Sequence, residues 1–80
     1  MEEYIEGLRY TLTRSSMNAI TIGLQLKLHF ESGDAAAEFA DNFDIVANNY
    51  DATTRVIGRT VLIDFSSGEK MRLFKAQMYL

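Results

Sequence analysis

The residues best suited to acid–base chemistry occupy alternate positions: Lys27, His29 and Glu31. Side chains two residues apart on a β-strand point to the same face, so these three would line up in space. A carboxylate beside an imidazole can form a general base. His29 is the only histidine, however, and no nucleophile or metal ligand accompanies it in the sequence. We therefore expect a solvated histidine on a strand, and the sequence predicts no catalytic residue and no metal site.

A second carboxylate, Asp64, lies among apolar residues in a stretch typical of a strand. It is opposite in phase to Ile63 and Phe65, so we expect it to face water. Pairing with Arg59 or Arg72 across a hairpin is the alternative.

Cofactor sites are not indicated. The sequence contains neither the G-x-G-x-x-G pattern nor the G-x-x-x-x-G-K-[ST] pattern of nucleotide-binding loops. It also contains no cysteine, which excludes disulfides and thiolate metal sites. We predict no cofactor, and we expect a protein that is not an enzyme.

Length and composition indicate a single globular domain over residues 1–80. The chain is 48% hydrophobic with a formal net charge of −3, which is typical of a folded domain and not of a disordered one. No apolar run approaches the 18 residues of a membrane span, and the acidic start, Met1–Glu6, does not resemble a secretory signal. We therefore expect a cytoplasmic protein, of a cell or of an infected host, with no membrane partner.

The elements that would position these residues begin with an alternating pattern. From Ile20 to Glu31 every second residue is apolar, which predicts a half-buried strand in an antiparallel sheet. A shorter alternation over Leu8–Thr13 predicts a strand before it, and the mostly polar residues 14–18 predict a connecting loop.

A change of period after this strand indicates a helix. Ser32 or Asp34 can cap its start, and Asn48-Asn49 can end it. The apolar residues between them recur at helical spacing and predict an amphipathic helix of about sixteen residues; they are Ala36, Phe39, Ala40, Phe43, Val46, Ala47 and Tyr50.

Three further strands are predicted after the helix: Thr53–Ile57, Thr60–Phe65 and Lys70–Tyr79, with hairpin turns at Gly58 and at residues 66–69. The predicted class is α+β, an antiparallel sheet of four to five strands in the order β-β-α-β-β-β with one amphipathic helix packed on one face. A single helix would leave part of the apolar sheet uncovered, so we expect a homodimer or another protein to cover it.

The distribution of charge suggests two binding surfaces. Residues 32–51 carry five acids and no base, whereas residues 52–80 carry five bases and two acids. The solvent face of the predicted helix would present a negative ridge able to occupy a basic groove on another protein; it comprises Asp34, Glu38, Asp41 and Asp44. The main hypothesis is a small protein-binding module, adaptor or inhibitor, acting through this ridge or through a free sheet edge. A phage-type inhibitor of a host machine is one form that such a small acidic domain could take.

Two alternatives remain open. A sheet face carrying basic side chains could bind single-stranded nucleic acid; the candidates are Arg55, Arg59, Arg72 and Lys27. An acidic chain with no RNA-recognition signature argues against this. The other alternative is a structural subunit of a symmetric homo-oligomer.

Overall fold

The computed structural model describes residues 2–80. None of the helices among these residues combines the length and the apolar character needed to cross a bilayer. In chain order the elements are α1 (Glu2–Ser15), β1 (Ser16–Ile22), β2 (Gln25–Phe30), α2 (Gly33–Asp44), a 3-10 turn (Ala47–Tyr50), β3 (Ala52–Ile57), β4 (Thr60–Phe65) and α3 (Gly68–Gln77).

The strands form an antiparallel sheet in the order β1-β2-β4-β3. The predicted α+β class and antiparallel sheet are confirmed, with four strands. The prediction of a single helix is wrong, because the described chain contains three. All three contribute buried side chains to the cluster that covers one face of the sheet. We call the uncovered face the open sheet face.

The first predicted strand, over residues 8–13, is part of helix α1. Ile5, Leu8 and Leu12 are buried at spacings of three and four residues, whereas Tyr10 is 62% exposed. Leu8 and Leu12 fit both a helical and a strand period, so three alternating residues could not distinguish the two. Ile5, one turn earlier, is the residue that makes the apolar stripe helical.

The predicted continuous strand from residue 20 to residue 31 is a hairpin. Gly23 has φ +59° and, with Leu24, forms a two-residue turn closed by the pair Ile22 and Gln25. Glycine at the first central position of such a turn is typical of type II′ geometry. The predicted loop at residues 14–18 is also wrong, because β1 begins at Ser16.

The last predicted strand, Lys70–Tyr79, is helix α3. The Ser67 side chain accepts a hydrogen bond from the Lys70 N–H at 3.2 Å and so caps the helix start. Met71, Phe74 and Met78 then turn toward the core at helical spacing. In a strand, the change of phase between Leu73 and Phe74 would require a bulge. In a helix the same spacing is regular, because it follows the helical period.

The remaining elements follow the predicted pattern more closely. Ser32 is the helix cap, since its side chain accepts from the Ala35 N–H at 3.1 Å. Helix α2 ends at Asp44, earlier than predicted, but the 3-10 turn continues its apolar stripe and Tyr50 is buried. Strand β3 begins one residue before its predicted start, and β4 has its predicted bounds.

The core between helices and sheet is rich in aromatic rings. Phe74 lies 5.0 Å from Phe43, 5.2 Å from Tyr50 and 5.8 Å from Phe65 between ring centroids. Leu26, Leu28 and Phe30 of β2, which belong to the apolar sheet surface that one helix was expected to cover only in part, are at most 1% exposed under the helices. Ile20, Ile22 and Leu24, from the same predicted strand, are 39%, 57% and 44% exposed, so the homodimer or other covering protein stays a prediction for this part of the sheet.

The Tyr50 hydroxyl gives the fold an expected sensitivity to alkali. It donates a hydrogen bond to Gln77 Oε1, and burial raises the pKa of Tyr50 above its usual value of about 10. As pH rises above 10, the Tyr50 hydroxyl ionises in the unfolded state before it ionises in the folded state. The free energy of unfolding should therefore fall as pH rises.

Urea unfolding at several pH values from about 8 to about 11 checks this expectation in the wild type and in Tyr50→Phe. The variant should be less stable at the lower pH by about 1 kcal/mol, since it lacks the hydrogen bond. Its stability should decline less toward the higher pH, because the titrating phenol is gone. Parallel pH profiles for the two proteins would contradict the role of Tyr50.

Candidate functional site

The open sheet face is a grid of three cross-strand rows. The register places in successive rows Ile22, Gln25, Asp64 and Thr53; then Ile20, Lys27, Leu62 and Arg55; then Asn18, His29, Thr60 and Ile57. Polar side chains interact within the grid: Gln25 Nε2 donates to Asp64 Oδ1 at 3.0 Å. The face thus combines polar side chains with exposed isoleucines near both edges, since Ile22 is 57% and Ile57 62% exposed.

The structure brings only two of the four predicted nucleic-acid-binding residues to this face. Lys27 and Arg55 share the middle row. Arg59 lies in the turn between β3 and β4, and Arg72 belongs to α3, on the other side of the sheet. Asp64 pairs with Arg55 at 3.2 Å, and not with either arginine considered from the sequence. Aromatic residues are absent from all three rows, so the face lacks a platform for stacking bases.

His29 is held by a neighbouring strand and not by Glu31. Its Nδ1 lies 2.9 Å from Thr60 Oγ1, its cross-strand neighbour. Glu31 follows the end of β2 and is exposed. Within residues 2–80 no three histidine, aspartate or glutamate side chains are grouped so that they could hold a metal ion.

The four predicted acidic residues lie on α2 or at its end, and all are exposed: Asp34, Glu38, Asp41 and Asp44. A groove of about 510 Å³ separates the start of α2 from α1. Asp34, Glu38 and Glu31 line it from one side, but so does Arg14 from α1. The four acids are therefore exposed, and the groove beside them is mixed in charge.

The most unusual surface is the edge strand β1. Six of its seven residues are exposed, and Met17 reaches 70%. Residues 15–26, which span the whole strand, contain no charged side chain. Natural proteins commonly protect an edge strand with a charge, a proline or a covering element. On β1 the described structure has a bulge between Ser16 and Asn18, which leaves Asn18–Ile22 regular. It also places a lysine of α3 against the strand, since Lys75 Nζ donates to Thr21 Oγ1 at 2.9 Å.

The register shows which backbone groups of β1 are free to pair. Phe30 N donates to Arg59 O at 2.8 Å and Phe65 N to Leu24 O at 2.9 Å, so the even residues of β2 bond to β4. The odd residues of β2 therefore bond to β1, opposite its even residues. By this alternation the N–H and C=O groups of Ala19 and Thr21 point outward, away from the sheet.

A cavity of about 300 Å³ lies beside the start of β1, between α1 and the residues that follow α3. Its lining carries no charged side chain and includes Leu12, Met17, Ala19, Tyr79 and Leu80. Tyr79 is 77% exposed and Leu80 42%. Uncharged side-chain space therefore adjoins Ala19, whereas Thr21 accepts a hydrogen bond from Lys75 Nζ at 2.9 Å.

The Tyr79 ring is held over this region by an unusual helix end. Tyr79 has φ +60°, and Leu80 N donates to Lys75 O at 2.8 Å, as in the Schellman motif, where glycine is the usual residue. Arg9 Nε donates to Gln77 O at 2.8 Å, and its guanidinium lies 4.3 Å from the centroid of the Tyr79 ring. A tyrosine in this left-handed conformation carries backbone strain that a glycine there would not.

Sequence reasoning missed β1 as a site because it split the strand between a loop and a longer strand. Two signals could have found it: Gly23 as a hairpin turn, and the twelve-residue run without charge over residues 15–26. Comparison of the chain with protein-family models and with curated proteins finds no match.

Proposed function

We propose that this chain is a non-enzymatic protein-binding module, an adaptor or an inhibitor, that accepts an extended strand of a protein at the edge of β1. The observation that carries the proposal is the regular, uncharged stretch Asn18–Ile22 with the outward backbone groups of Ala19 and Thr21. Strand addition of this kind derives affinity from main-chain hydrogen bonds and specificity from side-chain pockets.

The other sheet edge is less suited to strand addition. Strand β3 carries Arg55 at its centre, and this charge pairs with Asp64 at 3.2 Å. Helix α2 also packs against β3. A charge on an edge strand opposes pairing with a further strand, because the incoming strand would desolvate it. The two edges therefore differ: β3 carries a charged side chain of its own, whereas the charge beside β1 belongs to Lys75 of α3, which donates to Thr21 Oγ1 at 2.9 Å.

The cavity beside β1 suggests the character of the bound segment. Its lining is uncharged, and Met17, Tyr79 and Leu80 expose apolar surface there. An extended segment paired with β1 would place every second side chain on the side of the sheet where this cavity lies. We therefore propose a segment with uncharged, largely apolar side chains, at least at alternate positions.

Two surfaces remain as alternatives: the acidic surface of α2, and the open sheet face with Lys27 and Arg55. A helix normally carries charge on its solvent face, so the acids of α2 alone do not single it out. On the open sheet face Arg55 is already paired with Asp64, which lowers the positive charge available to a phosphate.

Selection of binders from a random peptide library displayed on phage compares the three surfaces directly. The chain is the bait, and amide chemical shifts map where each selected peptide binds. We expect peptides with apolar residues at alternate positions, and shift changes concentrated in residues 16–22. Peptides that instead perturb α2, or the row containing Lys27 and Arg55, would contradict the proposal, and shift changes in α2 would support the acidic surface.

A matched pair of variants tests the backbone contribution. Ala19→Pro removes an outward N–H of β1, and Val56→Pro removes one at the equivalent kind of position on β3. Peptide affinity should fall at least tenfold, equivalent to about 1.4 kcal/mol, in the first variant and stay near the wild-type value in the second. Equal losses in both variants, or in neither, would contradict binding by strand addition at β1.

A further inference from the structure

We infer that the strand accepted by β1 is β1 of a second copy of this chain, paired antiparallel about a two-fold axis. This inference rests on the proposed function and names its partner. A strand is able to pair with its own copy when its outward backbone groups repeat symmetrically about one residue and its side chains do not repel one another. Strand β1 meets both conditions.

The backbone geometry fixes where the axis passes. The regular part of β1 is Asn18–Ile22, and its central residue is Ile20. Ala19 and Thr21, on either side of it, carry the outward groups. A two-fold axis at Ile20 pairs Ala19 with the partner's Thr21 and Thr21 with the partner's Ala19, each through two hydrogen bonds. The two four-stranded sheets would then continue as one.

The side chains on the open sheet face match in this register. Ile20 is opposite the partner's Ile20 in the closer, non-hydrogen-bonded type of pair, and Ile22 is opposite the partner's Asn18. Ile20 and Ile22 are 39% and 57% exposed in the single chain. Pairing covers apolar surface from both copies, and cross-strand pairs of β-branched residues stabilise antiparallel sheets.

The same register accounts for the exposed Met17. In this register Met17 lies beside Gly23 of the second copy, which is part of the turn between β1 and β2. Leu24 in that turn is 44% exposed, and Met17 is 70% exposed. Both would therefore lie near the ends of the new strand pair, where they can add apolar contact beyond the five paired residues.

The distribution of charge bears on a second copy, because each chain carries a net charge of −3. Helix α2, which carries or adjoins the four acids, packs against β2, β4 and β3. Glu2 and Glu3 lie at the far end of α1, roughly 20 Å from the start of β1 at 1.5 Å per helical residue. The paired strands carry no charged side chain of their own, and Lys75 of α3 reaches β1 at Thr21, where its Nζ donates to Thr21 Oγ1 at 2.9 Å.

Light scattering measures the molar mass of the full chain in solution. Concentrations from about 1 μM to about 1 mM detect dimers of moderate affinity. We expect the mass to rise toward twice that of one chain. Ile20→Lys and Ile20→Glu should each keep the mass of one chain, since like charges would meet at the axis. An equimolar mixture of the two variants should recover the doubled mass, because opposite charges then face each other.

Ile57→Lys is the matched control, as Ile57 is an exposed isoleucine on the same face at the other edge of the sheet. It should associate as the wild type does. Ala19→Pro provides a second variant that acts on the backbone and should also remain a single chain. Amide spectra confirm that each variant is folded.

A wild-type chain that keeps the mass of one copy at every concentration would overturn the inference. So would charge variants that associate like the wild type, or a mixture that fails to restore the doubled mass. If the single chain nevertheless binds library peptides at residues 16–22, the proposed function stands and only the second copy is wrong. If it neither associates nor binds peptides there, both are wrong.

Discussion

Replacing Phe74 by alanine should cost about 3–5 kcal/mol of the free energy of unfolding, the range for losing a large buried aromatic side chain. Phe74 is fully buried, and its ring contacts those of Phe43, Tyr50 and Phe65 with centroid separations of 5.0–5.8 Å. At roughly 0.05–0.15 kcal/mol per residue, 80 residues have a total stability of about 4–12 kcal/mol. The loss is therefore a large part of the whole.

Urea unfolding followed by far-ultraviolet circular dichroism measures this effect. Leu73→Ala is the control, because Leu73 is the preceding residue of α3 and is 46% exposed. We expect the control to change stability by no more than about 1 kcal/mol, as for most surface substitutions. If both variants lost the same stability, Phe74 would not be the residue that attaches α3 to the core.

Phe74 also shows why the end of the chain could not be assigned from sequence. Met71 and Leu73 alternate as in a strand, and Phe74, Ala76 and Met78 alternate in the opposite phase. The choice between a bulged strand and a helix depends on whether an aromatic cluster exists to receive Phe74. That cluster is formed by side chains from α2, the 3-10 turn and β4, which are distant in sequence.

Elements whose signals are local were predicted better. The Ser32 cap, the apolar stripe of α2 and the turn at Gly58 each depend on residues within one or two turns of chain. Strand β4 was predicted with its observed bounds, Thr60–Phe65. The exposure of the α2 acids followed from the same helical period, although exposure does not make them a binding site.

The edge of the sheet could not be predicted in this way. A strand is an edge only because of the strand order, and here β4 pairs with both β2 and β3 while β1 pairs with β2 alone. The absence of charge over residues 15–26 is visible in the sequence, but an uncharged strand is ordinary in the middle of a sheet. It becomes a candidate binding site only when the fold places it at the edge.

Replacing Leu28 by lysine should abolish the folded state, whereas replacing the adjacent Lys27 by leucine should preserve it. Leu28 is fully buried on the helix side of β2, where a lysine side chain would have to lose its hydration or its charge. Lys27 is half-buried on the open sheet face, opposite Leu62 and Ile20, so a leucine there meets apolar neighbours.

The measurement is the same urea titration, with amide proton spectra to show whether each protein is folded. For Leu28→Lys we expect a loss of more than about 4 kcal/mol, enough to remove the cooperative transition of a small domain. Lys27→Leu should unfold near the wild-type midpoint. The reverse result would mean that the helices cover the other face of β2. Because the pairing of β1 with β2 places Ile20 on the same face as Lys27, that result would also remove Ile20 from the open sheet face and with it the register proposed for a second copy.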